Sequence, residues 1–412
     1  MRRLPYQARI YVLTVTLGSV MFLLACLKPS IPNPREFAGA LVFVVLNSIA
    51  ELKPVQVAEH WYVSVSPVFQ SASYILFQPW IAALISAICS IIADLAGRRP
   101  VFKTAFNAAQ YIICVGAAGL IYRSAAFGYP RTALITDLPA FTLATLVYYF
   151  LNVVLICTAF ALAEGRPLLQ TVLSQTGVYL FQYLALASLG MLMASVYSRD
   201  AFGLLLLLLP IAIVYTGIKD YIDLQTETRL AVEALADSID RRDDFTYDHS
   251  LRVADWAAKI AREMNLPDEL IEKIHLAARI HDLGKVGLSN RVLFKDGRLG
   301  EDEWEQVREH PQIGAEIAGK LKIYRHSTAF LRHHHENYDG SGYPDCLAGD
   351  DIPVGARIIR VVDAFDAMTN DRPYRKATPV EQAVSEIEKG RGTLFDPAVV
   401  DAFLRVLSNG RR

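Results

Sequence analysis

Long apolar runs dominate the chain up to about Ile218, and charged residues crowd the part that follows. About 20 apolar residues of helix cross the hydrocarbon core of a bilayer. The first run, Ile10–Leu27, is close to that length. A cleaved leader has a similar pattern, but further apolar runs follow, which favours an anchor. They are Phe37–Ala50, Tyr62–Phe77, Pro79–Ala96, Thr104–Tyr122, Phe141–Ala163, Val178–Val196 and Phe202–Ile218. Phe37–Ala50 is short, and Tyr62–Phe77 carries Ser64, Ser66, Pro67 and Gln70, so one of these two is a candidate re-entrant segment buried in protein. The pattern predicts residues 1–218 as a polytopic helical membrane domain, with eight spans favoured over seven.

From Lys219 to Asp243 the sequence turns charged and contains neither Gly nor Pro. Tyr221, Leu224, Thr228, Ala231 and Leu235 recur at spacings of three and four, which reads as a connecting helix with a weak heptad stripe. Such a stripe either packs on its own C-terminal domain or pairs with a second copy and carries motion from the membrane. Residues 244–412 are helical in pattern almost throughout. Leu251, Val253, Ala254, Ala257, Ile260 and Ala261 make one amphipathic face, and Ile271, Ile274 and Ala278 another. Strand signals are sparse, so the fold class is all-α in both halves.

Composition sharpens this division. The 412 residues leave room for two or three domains, and the 53% hydrophobic fraction is high for a soluble protein. A formal net charge of -1 supplies no global field for a nucleic-acid polymer. Cys26, Cys89, Cys114, Cys157 and Cys346 form no CxxC or other metal spacing, and read as small buried hydrophobes. Arg2, Arg3 and Arg9 precede the first run, and Arg98, Arg99 and Lys103 lie between the fourth and fifth. With eight spans both groups fall on the cytoplasmic side, together with the C-terminal half; Arg123 and Arg131 would lie outside. Asn47, Glu51, Gln70, Asp94, Asn107, Gln110, Asn152 and Gln182 lie in or near the runs. They either hydrogen-bond between helices or line a small-molecule pocket.

The candidate chemistry lies in the C-terminal half, which holds eight of the nine histidines. His281 and Asp282 are adjacent in His-Asp-Leu-Gly-Lys near the end of a predicted helix, and His334, His335 and Glu336 form a second cluster. His249, His310 and Asp363 stand in separate segments. Imidazole with carboxylate suits a first-row transition metal such as iron or manganese. A carboxylate can bridge two ions, and two ions about 3.5–4 Å apart can hold a phosphodiester and activate water.

His281-Asp282-Leu283-Gly284-Lys285 resembles the defining motif of the HD phosphohydrolase superfamily. His334-His335-Glu336, then Asp339-Gly340-Ser341-Gly342-Tyr343-Pro344, resembles the extended signature of its HD-GYP branch, the hydrolases of cyclic di-GMP. Asp363-Ala364-Phe365-Asp366-Ala367-Met368-Thr369 and Asp371-Arg372-Pro373-Tyr374-Arg375 are similar to the segment that follows in that family. The resemblance runs from roughly Leu235 to Leu407. It implies a bacterial, α-helical HD-type domain that hydrolyses cyclic di-GMP, with pGpG and GMP as the alternative end products; taken with the apolar runs and the connecting helix, the expectation is a multi-pass protein of the inner membrane whose membrane domain regulates a cytoplasmic enzyme. It also implies that His249, His281, Asp282 and Asp363 hold one divalent metal. Asp282 bridges to a second, which His310, His334 and His335 complete. Lys285 contacts a substrate phosphate, Tyr343, Arg372 and Arg375 contact the dinucleotide, and Gly342-Tyr343-Pro344 forms a loop that also bears on partner domains of the GGDEF type.

The chain departs from the family pattern at Asp248 and Cys346, where glycine is frequent. The position that recruits a third ion in some members is Phe245, so two ions are expected; Asp244, Asp248 and Glu336 are the carboxylates that would overturn this. A receptor that binds without turnover, a general nucleotide phosphohydrolase and an enzyme for a related dinucleotide such as cyclic GMP-AMP are the competing readings.

Overall fold

The computed structural model describes residues 5–27, 32–58, 61–125, 136–165, 167–242, 248–293, 295, 297, 299–370 and 376–410. The chain divides into two compact units, Met1–Asp223 and Leu224–Arg412. Apart from the short antiparallel hairpin of β1 (Val55–Ala58) and β2 (Trp61–Val63), the named elements are helices.

The first unit contains α1 (Tyr6–Cys26), α2 (Pro34–Leu52), α3 (Ser66–Leu76), α4 (Pro79–Ala96), α5 (Val101–Ala125), α6 (Leu138–Glu164), α7 (Leu168–Arg199) and the start of α8 (Leu204–Arg242). Five segments among the described residues are long and apolar enough to cross a membrane: α1, α4, α5, α6 and Ala201–Arg241. Together with the membrane-associated domain reported below, they make this a multi-pass membrane protein. Helices α2 and α7 occupy the positions of two more expected runs. Tyr62–Phe77 forms no helix of spanning length, so the favoured count of eight runs falls to seven, and the Lys and Arg pattern no longer carries the cytoplasmic placement of the C-terminal half. Ser64 lies in the loop after β2, and Ser66, Pro67 and Gln70 lie in an 11-residue helix, about 16 Å long at the α-helical rise. Nearly all of α3 is buried, where protein rather than lipid surrounds it. Apolar side chains left outward, such as Leu17, Met21, Leu206 and Leu209, are exposed in the isolated chain, as a lipid-facing surface requires.

Helix α8 runs unbroken from the last apolar run through the expected connecting helix. The stripe that packs on the second unit is Val232, Ala236 and Ile239, which join its core. In the expected stripe Tyr221, Leu224 and Leu235 stay exposed. Periodicity placed the right kind of face there but not the one the domain covers.

The second unit continues with α9 (His249–Glu263), α10 (Asp268–Arg279), the single turn α11 (Asn290–Leu293), α12 (Glu301–Gly319), α13 (Thr328–Arg332), α14 (Val354–Thr369), α15 (Val380–Lys389) and α16 (Pro397–Gly410). Val253, Ala254, Ala257, Ile260 and Ala261 of α9 are buried, as are Ile271, Ile274 and Ala278 of α10. Leu251 is not part of that face: 44% of it is exposed, because it lies on the solvent side of the first turn of α9. Small residues at the buried positions let α9 lie close against α10 and α14, around a core that includes Leu331, Ile358, Val362 and Phe403.

Candidate metal centre

Five short stretches of chain meet at one place, each carrying its ligand at an element end or a helix face. His249 opens α9, and Asp363 lies on α14. His281 and Asp282 were expected on a helix, but α10 ends at Arg279 and Ile280 leaves helical geometry at φ -130°. The pair sits in the turn before a 3₁₀ segment, Leu283–Gly287. His310 is on α12, and His334 and His335 follow α13.

Gly284 explains the sharp turn. A Cβ built there would lie 1.8 Å from the His310 carbonyl oxygen and 2.6 Å from the Gly314 nitrogen. Glycine alone lets the His-Asp turn touch the backbone of α12, which brings His310 beside Asp282. Gly342 plays the same part in the second loop. Its Cβ would lie 2.3 Å from the Asn337 nitrogen, so only glycine lets Gly342-Tyr343-Pro344 fold back on the His-His-Glu turn.

The donors form two groups. One is His249, His281 and Asp363; the other is Asp282, His310, His334 and His335. Asp282 reaches both: Oδ2 lies 3.5 Å from His281 Nε2, and Oδ1 lies 3.3 Å from His310 Nε2. His249 Nε2 is 3.5 Å from Asp363 Oδ1. Thus every expected metal ligand is brought together.

Backbone carbonyls select the tautomer. His281, His310 and His334 donate from Nδ1 to the carbonyls of Ala278, Val307 and Leu331 at 2.9, 2.6 and 2.6 Å. A carbonyl only accepts, so each Nδ1 carries the proton and each Nε2 offers a lone pair to the centre. The Nε2 of His281 is buried and has no hydrogen bond among the described residues, a costly state that a cation at that point relieves. Burial, then the neighbouring rings of His281 and His310, hold His334 well below the ordinary histidine value; burial and His334 do the same for His335. Burial opposes charge on Asp282, but Lys285, His281 and His310 outweigh it and keep the carboxyl well below the usual range. Neutral His334 and His335 beside an ionised Asp282 are in the states that a transition-metal ion binds. The donor set therefore fits the implied metal.

Lys285 does not reach the centre along a helix face. It lies in the 3₁₀ segment, with Nζ 2.8 Å from Asp282 Oδ2. The Tyr343 ring is 5.0 Å from that of His335, and burial, then Asp282, push its hydroxyl up to about 12. Arg372 and Arg375, like Asp244 and Phe245, lie outside the described residues. Glu336 is in neither donor group. Its Oε1 accepts from the Asp345 backbone nitrogen at 2.8 Å, which fastens the Gly-Tyr-Pro loop. Asp248 is exposed and outside the donor groups as well. Cys346 takes φ +53°, the left-handed region that glycine prefers, where the family frequently has glycine.

Two neighbours of the centre had no role in the sequence reading. Asp366 accepts from His249 Nδ1 at 2.7 Å and from Arg252 Nε and Nη2 at 2.7 and 2.8 Å. His249 and Arg252 are three apart on α9, and Asp363 and Asp366 three apart on α14. Matching helix-face pairs were the available signal. Burial opposes charge on Asp366, but Arg252 and His249 outweigh it. Asp366→Asn is expected to loosen metal at the His249 group by about 10- to 100-fold, since such orienting partners raise ligand basicity. Chelator competition on folded protein measures this; unchanged retention would reduce Asp366 to a packing role.

Residues 233–399 match the HD domain family, and residues 38–221 match the MASE9 family. The C-terminal unit contains an HD domain. The cyclic di-GMP phosphodiesterase response regulator RpfG of Xanthomonas campestris pv. campestris is 38% identical to this chain over 185 residues, covering 44% of this chain and 49% of that protein. A cyclic di-GMP phosphodiesterase of Thermotoga maritima is 40% identical, covering 40% and 45%. The 3'3'-cGAMP-specific phosphodiesterase 3 of Vibrio cholerae is 37% identical, covering 43% and 38%. The chain thus spans half or less of the length of these relatives. The MASE9 match supplies the membrane-associated domain that carries it.

Proposed function

We propose that this protein is a phosphodiesterase of the bacterial inner membrane that hydrolyses cyclic di-GMP to pGpG and on to GMP, with its HD-GYP domain in the cytoplasm. The observation that carries this reading is a pair of donor groups joined by one carboxylate, Asp282, beside a lysine. His249, His281 and Asp363 would hold one divalent ion, iron or manganese, and His310, His334 and His335 the other, with Asp282 common to both. When bound, such a pair supplies Lewis-acid polarisation of the phosphodiester and acidifies water. The nearby ammonium of Lys285 offsets charge developing on the phosphoryl oxygens. Tyr343 walls the site on the His335 side, and Arg372 and Arg375 grip the dinucleotide through paired donors.

Purified full-length protein loaded with iron or manganese is expected to hydrolyse cyclic di-GMP, to lose activity when metal is stripped, and to regain it on replenishment. Cyclic GMP-AMP is the rival substrate, favoured by the specificity named for the Vibrio cholerae relative. A dinucleotide panel separates the two. Turnover by metal-free folded protein, or none with any metal, would sink the reading. Elemental analysis should find two ions per chain.

The end of α8 supports regulation by the membrane domain. Asp237 pairs with Arg279 Nη1 and Nη2 at 2.6 and 2.9 Å, two residues before His281. Asp240 accepts from the Ser250 hydroxyl at 2.5 Å, one residue after His249. A shift of α8 therefore pulls on both segments that carry ligands of the first group. Asp237→Asn is expected to lower turnover per metal-loaded molecule by roughly 2- to 30-fold, the range for residues that couple two sites. Unchanged turnover at unchanged metal content would leave α8 a mere tether. The exposed residues Tyr221, Leu224 and Leu235 support pairing of α8 with a second copy, and the exposed residues Ser341, Asp345 and Cys346 that flank the Gly-Tyr-Pro loop support docking of a GGDEF-type domain.

A further inference from the structure

A large cavity lies within the membrane unit, far in sequence from the metal centre. Its volume is about 1020 Å³, the upper end of the range that small organic ligands occupy. Several of the polar positions that stood out in the apolar runs line it, including Glu51, Gln70, Asp94, Gln110 and Asn152.

The wall carries unequal charge. Glu51, Asp94 and Glu164 line the cavity, against two cations, Arg99 and Lys103. Asp94 is already satisfied: Oδ1 accepts from Arg99 at 3.1 Å and Oδ2 from Asn107 at 2.8 Å. Lys103 is exposed. Glu51 differs. Its Oε1 accepts from Gln70 Nε2 at 3.3 Å and from the Tyr111 hydroxyl at 3.1 Å, and no ion pair reaches it among the described residues. A carboxylate in an apolar unit without a cationic partner is costly, and such groups mark sites.

Tyrosines surround that carboxylate. Tyr148 donates to Gln70 Oε1 at 2.6 Å, so it is one hydrogen bond removed from Glu51. The Tyr148 and Tyr183 rings stack at 5.0 Å, and Tyr149 lies 5.7 Å from Tyr183. All three line the cavity, and the buried Tyr183 hydroxyl makes no hydrogen bond among the described residues. Aromatic faces beside an anion attract a cation, and their apolar bodies accept its tail.

We propose that this cavity is a binding site for a small organic cation, an amine with an apolar or aromatic tail. Its ammonium meets Glu51 and its tail lies against Tyr148, Tyr149 and Tyr183. Neither a free anion nor a neutral ligand answers the Glu51 charge. The site stands apart from the catalytic reading, and its test is binding, not hydrolysis.

The probe is 2-phenylethylamine, with full-length protein in nanodiscs and equilibrium dialysis against empty nanodiscs as the reference. Saturable binding is expected, with no competition from 2-phenylethanol, which has the same shape without the charge. Glu51→Gln is expected to weaken binding by about 10- to 100-fold, the equivalent of one charge-assisted hydrogen bond. Binding no greater than to empty nanodiscs, equal competition by the alcohol, or undiminished binding by folded Glu51→Gln would each overturn the proposal. The alcohol comparison uses the unsubstituted protein, so it decides the matter even where the variant fails to fold.

Discussion

Asp282→Ala is expected to lower cyclic di-GMP turnover by on the order of 10²- to 10³-fold, and to leave the protein with less bound metal. Among the described residues, Asp282 is the side chain that reaches both donor groups, through Oδ2 toward His281 and Oδ1 toward His310. Removing one partner of a buried charge cluster costs roughly 3–5 kcal/mol, because the groups left behind stay desolvated. That energy in the rate corresponds to the stated loss, at about 1.4 kcal/mol per factor of ten. His281→Ala should act in the same direction through the first donor group alone. Elemental analysis and turnover on the same folded sample check both variants. Full activity in Asp282→Ala with normal metal content would remove the bridging carboxylate from the mechanism. The alanine also leaves Lys285 without its 2.8 Å partner, so Asp282→Asn, which keeps the size, separates lost charge from lost packing.

Gly284→Ala is expected to be nearly as severe, although it removes no functional group. The added methyl would meet the His310 carbonyl at 1.8 Å and the Gly314 nitrogen at 2.6 Å, and both are backbone atoms of α12. Backbone cannot swing aside as a flexible side chain can, so α12 must move away from the His-Asp turn. His310 moves with it, out of reach of Asp282. Overpacking of this kind costs about 1–3 kcal/mol, and more where backbone resists. A lower thermal midpoint should accompany loss of metal at the His310 group, with the His249 group better retained. Anomalous scattering at each group would resolve the two. A variant with the parent's midpoint and two occupied positions would show that α12 has slack that this geometry denies.

Much of the candidate site was legible because four of its seven candidate ligands come in adjacent pairs. His281-Asp282 and His334-His335 are contiguous, and contiguity survives any arrangement of the helices. Helical faces were legible for the same local reason: Val253 and Ala257, or Ile271 and Ile274, share a side of their helix whatever packs there. Local pattern failed where a neighbour decides. Leu251 has the chemistry of a core residue but falls on the uncovered side of α9. In α8 the stripe on Val232, Ala236 and Ile239 is buried, rather than the stripe through Leu224 and Leu235, because the second unit meets the helix there. Ser66, Gln70, Ser71 and Ser73 make α3 look too polar for a membrane run, yet it is short and enclosed by other helices.

By itself, then, the sequence determined the two-part organisation and the helical class, since each rests on composition or on a repeat within one helix; the candidate ligands came from blocks of adjacent residues together with the family resemblance. Tertiary structure decided what depends on distance between elements. It sorted seven ligands into two groups with Asp282 between them, ended α10 before His281, and set Asp366 against His249 across 117 positions of sequence. It also enclosed Glu51 and three tyrosines in one cavity. Periodicity defines the faces of a helix; only packing chooses which face meets which partner, and a shared carboxylate or a buried charge is a property of that meeting.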